Sequence, residues 1–387
     1  MPHNTTPRAA LIASVRRVVI KIGSAVLSGD SGLNLAQIEK LSANLWQLRQ
    51  RGYDVIVVSS GAVAAGKKDL GICGRPQTIA LKQAAAAIGQ SRLMRFYRSA
   101  FRSRGGNVAQ ILLTRDDLAN RRRYLNARNT LMTLLEYGIV PIINENDTVV
   151  VDEIRFGDND NLSSMVASLV EANLLVILSD VDGLYDRDPR QHADARLIPE
   201  VERISADIET MAGNASGQLG TGGMASKLKA AKRATLQGVA AAIINGLDPD
   251  NLLRFFDGED IGTYFIPASA RMTAKKHWIA FTKKPRGKLF VDAGAHRALV
   301  MEGKSLLPSG IRGVEGTFER GDSVSLYDDS GNFFARGVTN YTLAELLRIM
   351  GKKTSEIIDI LGYKYADEVI HRDNLVLSTA DDDRPLD

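Results

Sequence analysis

The sequence has one cysteine, Cys73, among 387 residues, so neither an intrachain disulfide nor a thiolate metal cluster can form within it. Its histidines (His3, His192, His277, His296, His371) are too dispersed for a local zinc motif. No run approaches the ~18 uninterrupted apolar residues that a bilayer span requires. The opening MPHNTTPRAA also lacks the charged start and apolar middle of a secretory signal. A soluble, cytoplasmic chain with no membrane partner is expected. Hydrophobic residues make up 44% and charged residues 24%, an ordinary globular composition that excludes disordered, collagenous and fibrous classes.

At about 150 residues per domain, the length predicts two to three domains and a sizeable core. Charge is unevenly spread. Residues 1–285 carry 36 basic and 28 acidic side chains, whereas residues 286–387 carry 13 and 17, which together give the net +4. A basic first part suits an anionic ligand, and the acidic second part weighs against a strong nucleic-acid binder. The arginines crowded between Arg92 and Arg128, including Arg121, Arg122 and Arg123, read better as a solvated helix face or an oligomer contact than as a nucleic-acid surface.

Short apolar runs predict buried strands at Val18–Ile22, Val55–Ser59, Val108–Leu113, Ile139–Asn144, Leu174–Leu178 and Val239–Ile244. Helical spacing fills the intervals. The clearest case is Leu35, Ile38, Leu41, Leu45 and Leu48, with Asn34 as N-cap and Gln37 placed to complete a capping box. Alternating strands and helices with near-continuous apolar strands predict an α/β class fold, an open, mostly parallel sheet sandwiched by helices. After the Lys-rich segment Lys275–Gly287 the pattern changes to short pieces: Lys288–Val291, Phe318, Ser323–Tyr327 and Phe333–Val338. These predict a small β-rich second domain. The expected organisation is a flexible N-terminus over 1–15, a large domain over 16–275, a linker over 276–286, the small domain over 287–370 and a tail over 371–387, with Ala380–Asp387 disordered.

Five places could carry chemistry. Lys21 ends a predicted strand just before Gly23; in open α/β sheets ligands bind beyond such strand ends, although a lysine snorkelling at a sheet edge has the same spacing. At Ser59-Ser60-Gly61 a glycine permits close backbone approach and free amides, or marks a plain strand-to-helix turn. Asn144-Glu145-Asn146-Asp147 and Asp158-Asn159-Asp160-Asn161 form the densest polar cluster. Amides and carboxylates together can pair with a zwitterion or hold hydrated Mg²⁺, and a solvated loop capping a helix that starts at Leu162 is the plainer alternative. An EF-hand is excluded because the cluster runs into Leu162 without the glycine that loop requires. Finally, the glycine-rich segment Gly217–Lys227 leads into a helix carrying Leu228, Ala231 and Ala234; its amides with the Lys227 charge could cradle phosphate, or the segment is a flexible loop. It is neither a Walker A sequence nor a dinucleotide fingerprint. A turn at Ser179-Asp180, with Asp182 and Asp188-Pro189 following, is a further strand end.

Taken jointly, VVIKIGSAVL, VSSGAVAAG, LNARNT, PIINENDTV, FGDNDNLS, SDVDGLYDRDP and GTGGMASKLKAA resemble the amino acid kinase family, and within it the members that phosphorylate the γ-carboxylate of L-glutamate as the first step of proline biosynthesis. The resemblance spans about residues 16–370 and includes a PUA-like second domain. It implies ATP contacts by Lys21, Ser179, Asp180, Thr221, Gly222, Gly223, Met224, Ala225, Ser226 and Lys227. It implies glutamate contacts by Ser60, Asp147 and Asn159, and catalysis by Lys21 and Lys227 flanking the transferred phosphoryl group while Asp160 orients them. ATP with Mg²⁺ would be the co-substrate, with no protein-held metal. Feedback by proline, a homo-oligomer and a partnership with glutamyl phosphate reductase are implied in the same way. Ser24 and Ser179 stand where many such sequences have threonine, which keeps the hydroxyl. Related kinases of aspartate or acetylglutamate, and an RNA-binding or RNA-modifying protein built on the PUA-like part, are the competing expectations.

Overall fold

The computed structural model describes residues 12–29, 32–72, 74, 76–149, 158–214, 223–267 and 285–378. The chain divides into two compact units, Met1–Arg271 and Met272–Asp387. Within the first unit, strands β1 (Arg17–Ile22), β4 (Asp54–Ser59), β5 (Val108–Leu113), β6 (Val140–Glu145), β7 (Leu174–Ser179), β8 (Glu200–Val201), β9 (Ala240–Asn245) and β10 (Thr263–Phe265) form one sheet. Between β1 and β4, Ser28–Gly29 (β2) and Gly32–Leu33 (β3) make a separate antiparallel pair. The sheet order is β5-β6-β4-β1-β7-β9-β10-β8, parallel throughout except where β10 runs antiparallel to β9.

The six apolar runs identified in the sequence are β1, β4, β5, β6, β7 and β9, each shifted by at most a residue or so. β6 and β7 are buried at every position, as expected of strands covered on both faces. The short strands β8 and β10 carry too few residues for a period to register. The helix Leu35–Gln50 turns Ile38, Leu41, Leu45 and Leu48 into the core and leaves Leu35 outside. Its capping box is only half made. Asn34 Oδ1 accepts from Gln37 N at 3.1 Å, but the Gln37 amide crosses to the carbonyls of Gly246 (2.6 Å) and Leu247 (3.1 Å), fastening the turn after β9.

Several boundaries differ from the sequence expectation. Ile12 and Val15, assigned to a flexible N-terminus, are buried in the core cluster of the first unit. The helix expected from Leu162 starts at Asp158, so the polar cluster forms its first turn and not a loop. In the second unit the piece expected around Phe318 is instead a strand at Ile311–Gly316, with Phe318 following it as a buried core residue.

That unit contains β11 (Gly287–Val291), β12 (Ile311–Gly316), β13 (Ser323–Tyr327), β14 (Phe333–Val338) and β15 (Leu375–Leu377), in the order β12-β11-β13-β14-β15. β15 pairs with β14, so the sheet reaches into the segment expected as a tail. Leu289, Val324, Leu326, Tyr341 and Ile370 centre a core of its own. The linker expected over 276–286 falls almost wholly outside the described residues, as does Ala380–Asp387.

β1 sits at the middle of the large sheet with β4 on one side and β7 on the other. The chain fills one side through β6 before crossing to β7, so the carboxyl ends of β1, β4 and β7 surround a topological switch point, where open α/β sheets bind ligands.

Candidate active site

Lys21 is the penultimate residue of β1, registered against Val58 of β4 and Ile177 of β7. Only 6% of its surface is exposed, so it does not snorkel. Its Nζ lies 2.5 Å from Asp160 Oδ1, and Asp160 is 1% exposed. The other carboxylate oxygen, Oδ2, accepts from Ser226 Oγ at 2.5 Å. One buried carboxylate therefore joins the end of β1 to the first turn of the helix Met224–Leu236.

The next residue on that helix is Lys227, itself buried. Burial pushes its pKa below the ordinary lysine value; the Asp160 carboxylate counters this, the Lys21 ammonium adds to it, and Asp180 counters it again. Two ammonium groups thus share the field of one buried carboxylate, an arrangement that an arriving phosphate would engage from both sides. Gly223 caps the helix without a side-chain hydrogen bond, so the first-turn amides carry the helix dipole unmasked by a capping side chain. The Ser179 hydroxyl, at the end of β7, donates to Asp180 Oδ1 at 3.0 Å. Asp182 then accepts from Tyr185 (2.9 Å) and from Asn245 (2.8 Å) at the end of β9.

A second polar group lies beyond β4 and β6. Gly61, at φ +104°, makes the sharp exit from β4 that only glycine adopts readily, and Ser60 just before it is half-buried. Asn159 Nδ2 donates to Ser60 Oγ (2.9 Å) and to Asn144 Oδ1 (3.0 Å), while Asn144 Nδ2 donates to Gln90 Oε1 (2.8 Å). Two turns beyond Gln90 on the helix Ile79–Arg102, Tyr97 meets Ser59 at 2.9 Å. Ser59 Oγ donates to Ser60 O at 2.9 Å, so the phenol must be the donor, and its deep burial raises its pKa and keeps it protonated.

Of the residues expected from the sequence, Lys21, Asp160 and Ser226 come together directly, with Lys227 and Asp180 in electrostatic reach, and Ser60 and Asn159 meet on the other side. Met224 and Ala225 lie in the first turn of the same helix. Asp147 stands half-buried in the turn leaving β6. Thr221 and Gly222 lie outside the described residues. Asn144 belongs to the polar cluster named in the sequence, though with no role of its own there; Gln90 and Tyr97 give no sequence signal, because a lone polar side chain on a long helix does not say what it faces. Several of the crowded arginines are spent on acids: Arg92 on Asp69, Arg104 on Glu39, Arg123 on Asp117 and Arg128 on Glu171. Among the described residues no three His, Cys, Asp or Glu side chains gather as a metal site, and no helix is long and apolar enough to cross a membrane.

Residues 16–245 match the amino acid kinase family and residues 287–361 match the PUA domain. The chain is 61% identical over 370 residues to a glutamate 5-kinase from Syntrophotalea carbinolica, covering 96% of this chain and 99% of that protein. It is 55% identical over 371 residues to one from Geobacter sulfurreducens and 58% identical over 371 residues to one from Geobacter metallireducens, in each case covering 96% of this chain and 100% of the relative. With the strand-end lysine, the shared aspartate and the glycine-capped helix in one place, the chain belongs to the amino acid kinase family, in its glutamate 5-kinase branch with a C-terminal PUA domain.

Proposed function

We propose that the chain transfers the γ-phosphoryl group of ATP, supplied as its Mg²⁺ complex, to the γ-carboxylate of L-glutamate, giving L-glutamyl 5-phosphate and ADP in the first step of proline biosynthesis. The observation that carries this reading is one buried carboxylate, Asp160, held between Lys21 and the first turn of the helix that carries Ser226 and Lys227. It fixes two ammonium groups from distant parts of the chain around one point. The naming of full-length relatives above 50% identity supports glutamate as the acceptor.

The chemistry asks for little else. A γ-carboxylate is ionised at pH 7, so its attack on phosphorus needs no general base. The barrier lies in aligning two anions and in stabilising charge on the transferring oxygens. Lys21 and Lys227 answer the second need, and the dipole of the helix Met224–Leu236 adds to them from the same side. Asp160 keeps the two cations apart and pointed while the site is empty. Ser179 and Asp180 fall to the nucleotide, and Ser60, Asn159 and Asp147 to glutamate, with Asp147 opposite its ammonium. Mg²⁺ would be held mainly by phosphate oxygens and water, which suits its reluctance to dehydrate.

The test is phosphoacceptor specificity. Purified protein with MgATP should release ADP with L-glutamate far faster than with L-aspartate or N-acetyl-L-glutamate, and hydroxylamine should trap the acyl phosphate as a hydroxamate. No glutamate-dependent ADP release would end this reading.

A further inference from the structure

The hydrogen bonds on the acceptor side have a direction, and one backbone amide sets it. Glu145 N–H can only donate, and it donates to Asn144 Oδ1 at 2.9 Å. The Asn144 carboxamide cannot then be turned over, so its Oδ1 also receives Asn159 Nδ2 (3.0 Å) and its own Nδ2 must find an acceptor. Gln90 Oε1 is that acceptor, at 2.8 Å. Asn159 is fixed in turn, and its Nδ2 donates onward to Ser60 Oγ at 2.9 Å. Since Ser60 accepts this bond with a lone pair, its hydrogen is left to donate outward.

We propose that Gln90 is a positioning residue for the acceptor acid: by accepting from Asn144 it locks the relay whose far end presents the Ser60 hydroxyl as a donor to a substrate carboxylate. This rests on the reading of that side as the acceptor site. Gln90 is 9% exposed and Asn144 is 3% exposed, so water is poorly placed to replace the lost acceptor. Only the oxygen of the Gln90 amide is used; its Nε2 is buried with no hydrogen-bond partner among the described residues. A side chain of that length with an acceptor and no donor should therefore serve as well.

The experiment compares Gln90→Leu with Gln90→Glu, reading kcat and KM for the acceptor acid and for ATP beside the thermal unfolding midpoint. Gln90→Leu should raise the acceptor KM about tenfold, the size of one lost buried hydrogen bond. KM for ATP should stay within about twofold, because the relay touches nothing on the nucleotide side. Gln90→Glu keeps an acceptor oxygen in either protonation state and should stay within about threefold of the wild-type acceptor KM. If Gln90→Leu fails to fold, Gln90→Met removes the same oxygen with an unbranched chain and takes its place. Equal acceptor KM values for the leucine (or methionine) and glutamate variants, or a parallel rise in KM for ATP, would overturn the proposal. Wild-type turnover with glutamate tests the functional reading; the KM ratio between variants, measured with whichever acid the wild type accepts, tests the relay.

Discussion

Asp160→Asn isolates charge from hydrogen bonding. The amide is isosteric, can still accept from Lys21 with its oxygen, and can donate from its nitrogen to Ser226 Oγ. That hydroxyl already has a second acceptor, the carbonyl of Gly223 at 3.0 Å, to which its own hydrogen can turn. What disappears is the negative charge 2.5 Å from a lysine that is itself 6% exposed. Breaking a buried ion pair by removing one partner costs about 3–5 kcal/mol. Urea unfolding of the nucleotide-free variant should show that loss. A non-hydrolysable ATP analogue should restore much of it, because the triphosphate supplies the missing anion and binds only the folded chain. Activity should fall about 10²–10³-fold in kcat, the usual consequence of disturbing a preorganised charge clamp. The alkaline limb of the rate profile should also move to lower pH, since Asp160 is the first of the influences that hold the Lys227 proton on against burial. A variant within about 1 kcal/mol of wild type, with an unmoved alkaline limb, would refute the idea that this carboxylate holds the two cations.

Lys227→Ala should lower kcat about 10²–10³-fold while KM for glutamate changes little, because the ammonium acts on charge that develops in transfer; an unchanged kcat in the ADP-release assay would remove that role. The same lysine predicts opposite pH trends for stability and rate. Its folded-state pKa lies below 10.5, so between that lowered value and 10.5 the unfolded chain binds more protons and the nucleotide-free protein gains stability as pH rises. Activity, which needs the ammonium, should fall through that window; urea midpoints and initial rates on matched buffers would show whether the two diverge. Asp147→Ala should raise KM for glutamate by at least about tenfold through loss of a charged partner for the substrate ammonium, with KM for ATP as the control. Gly89→Ala should cost about 3 kcal/mol or more, since its Cβ would lie 1.8 Å from the carbonyl of Ala62, where the long helix Ile79–Arg102 crosses the short helix after Gly61.

The sheet was legible because burial on both faces writes itself as short, uninterrupted apolar runs, and β1, β4, β6, β7 and β9 are of that kind. Strand order was not legible: nothing in the runs themselves says that β7 crosses to the far side of β1, yet that crossing makes the switch point. The short β8 and β10 escaped for want of length. Gly66 and Gly89 escaped for a different reason, since each answers to a carbonyl on the other's helix and has no local motif. The capping box at Asn34 was predicted from sound local chemistry. A longer-range demand won, because the carbonyls of Gly246 and Leu247 at a parallel strand end need donors and the Gln37 amide reaches them.

The site shows where residue types stop being informative. By residue type alone Asp158 to Asn161 is one polar cluster, and its candidate partners, a zwitterion or a hydrated cation, cannot be divided among its members; only the family resemblance separates Asn159 from Asp160. Folding makes the cluster the first turn of the helix Asp158–Leu169, and each step of 3.6-residue geometry turns the next side chain by about 100°. Consecutive residues therefore face different neighbours: Asn159 faces Ser60 and Asn144, Asp160 faces Lys21 and Ser226, and Asn161 takes the guanidinium of Arg233. One turn thus touches the acceptor relay, the cationic clamp and the body of the helix that carries Lys227. A loop of the same composition could make these contacts only by ordering each residue separately, at about 1–2 kcal/mol of backbone entropy apiece. A helix anchored by Val166 and Leu169 in the core holds all three in a fixed angular relation. Exchanging Asn159 with Asp160 should therefore abolish activity although the composition is unchanged, because the carboxylate would then face Ser60 and leave the lysines an amide.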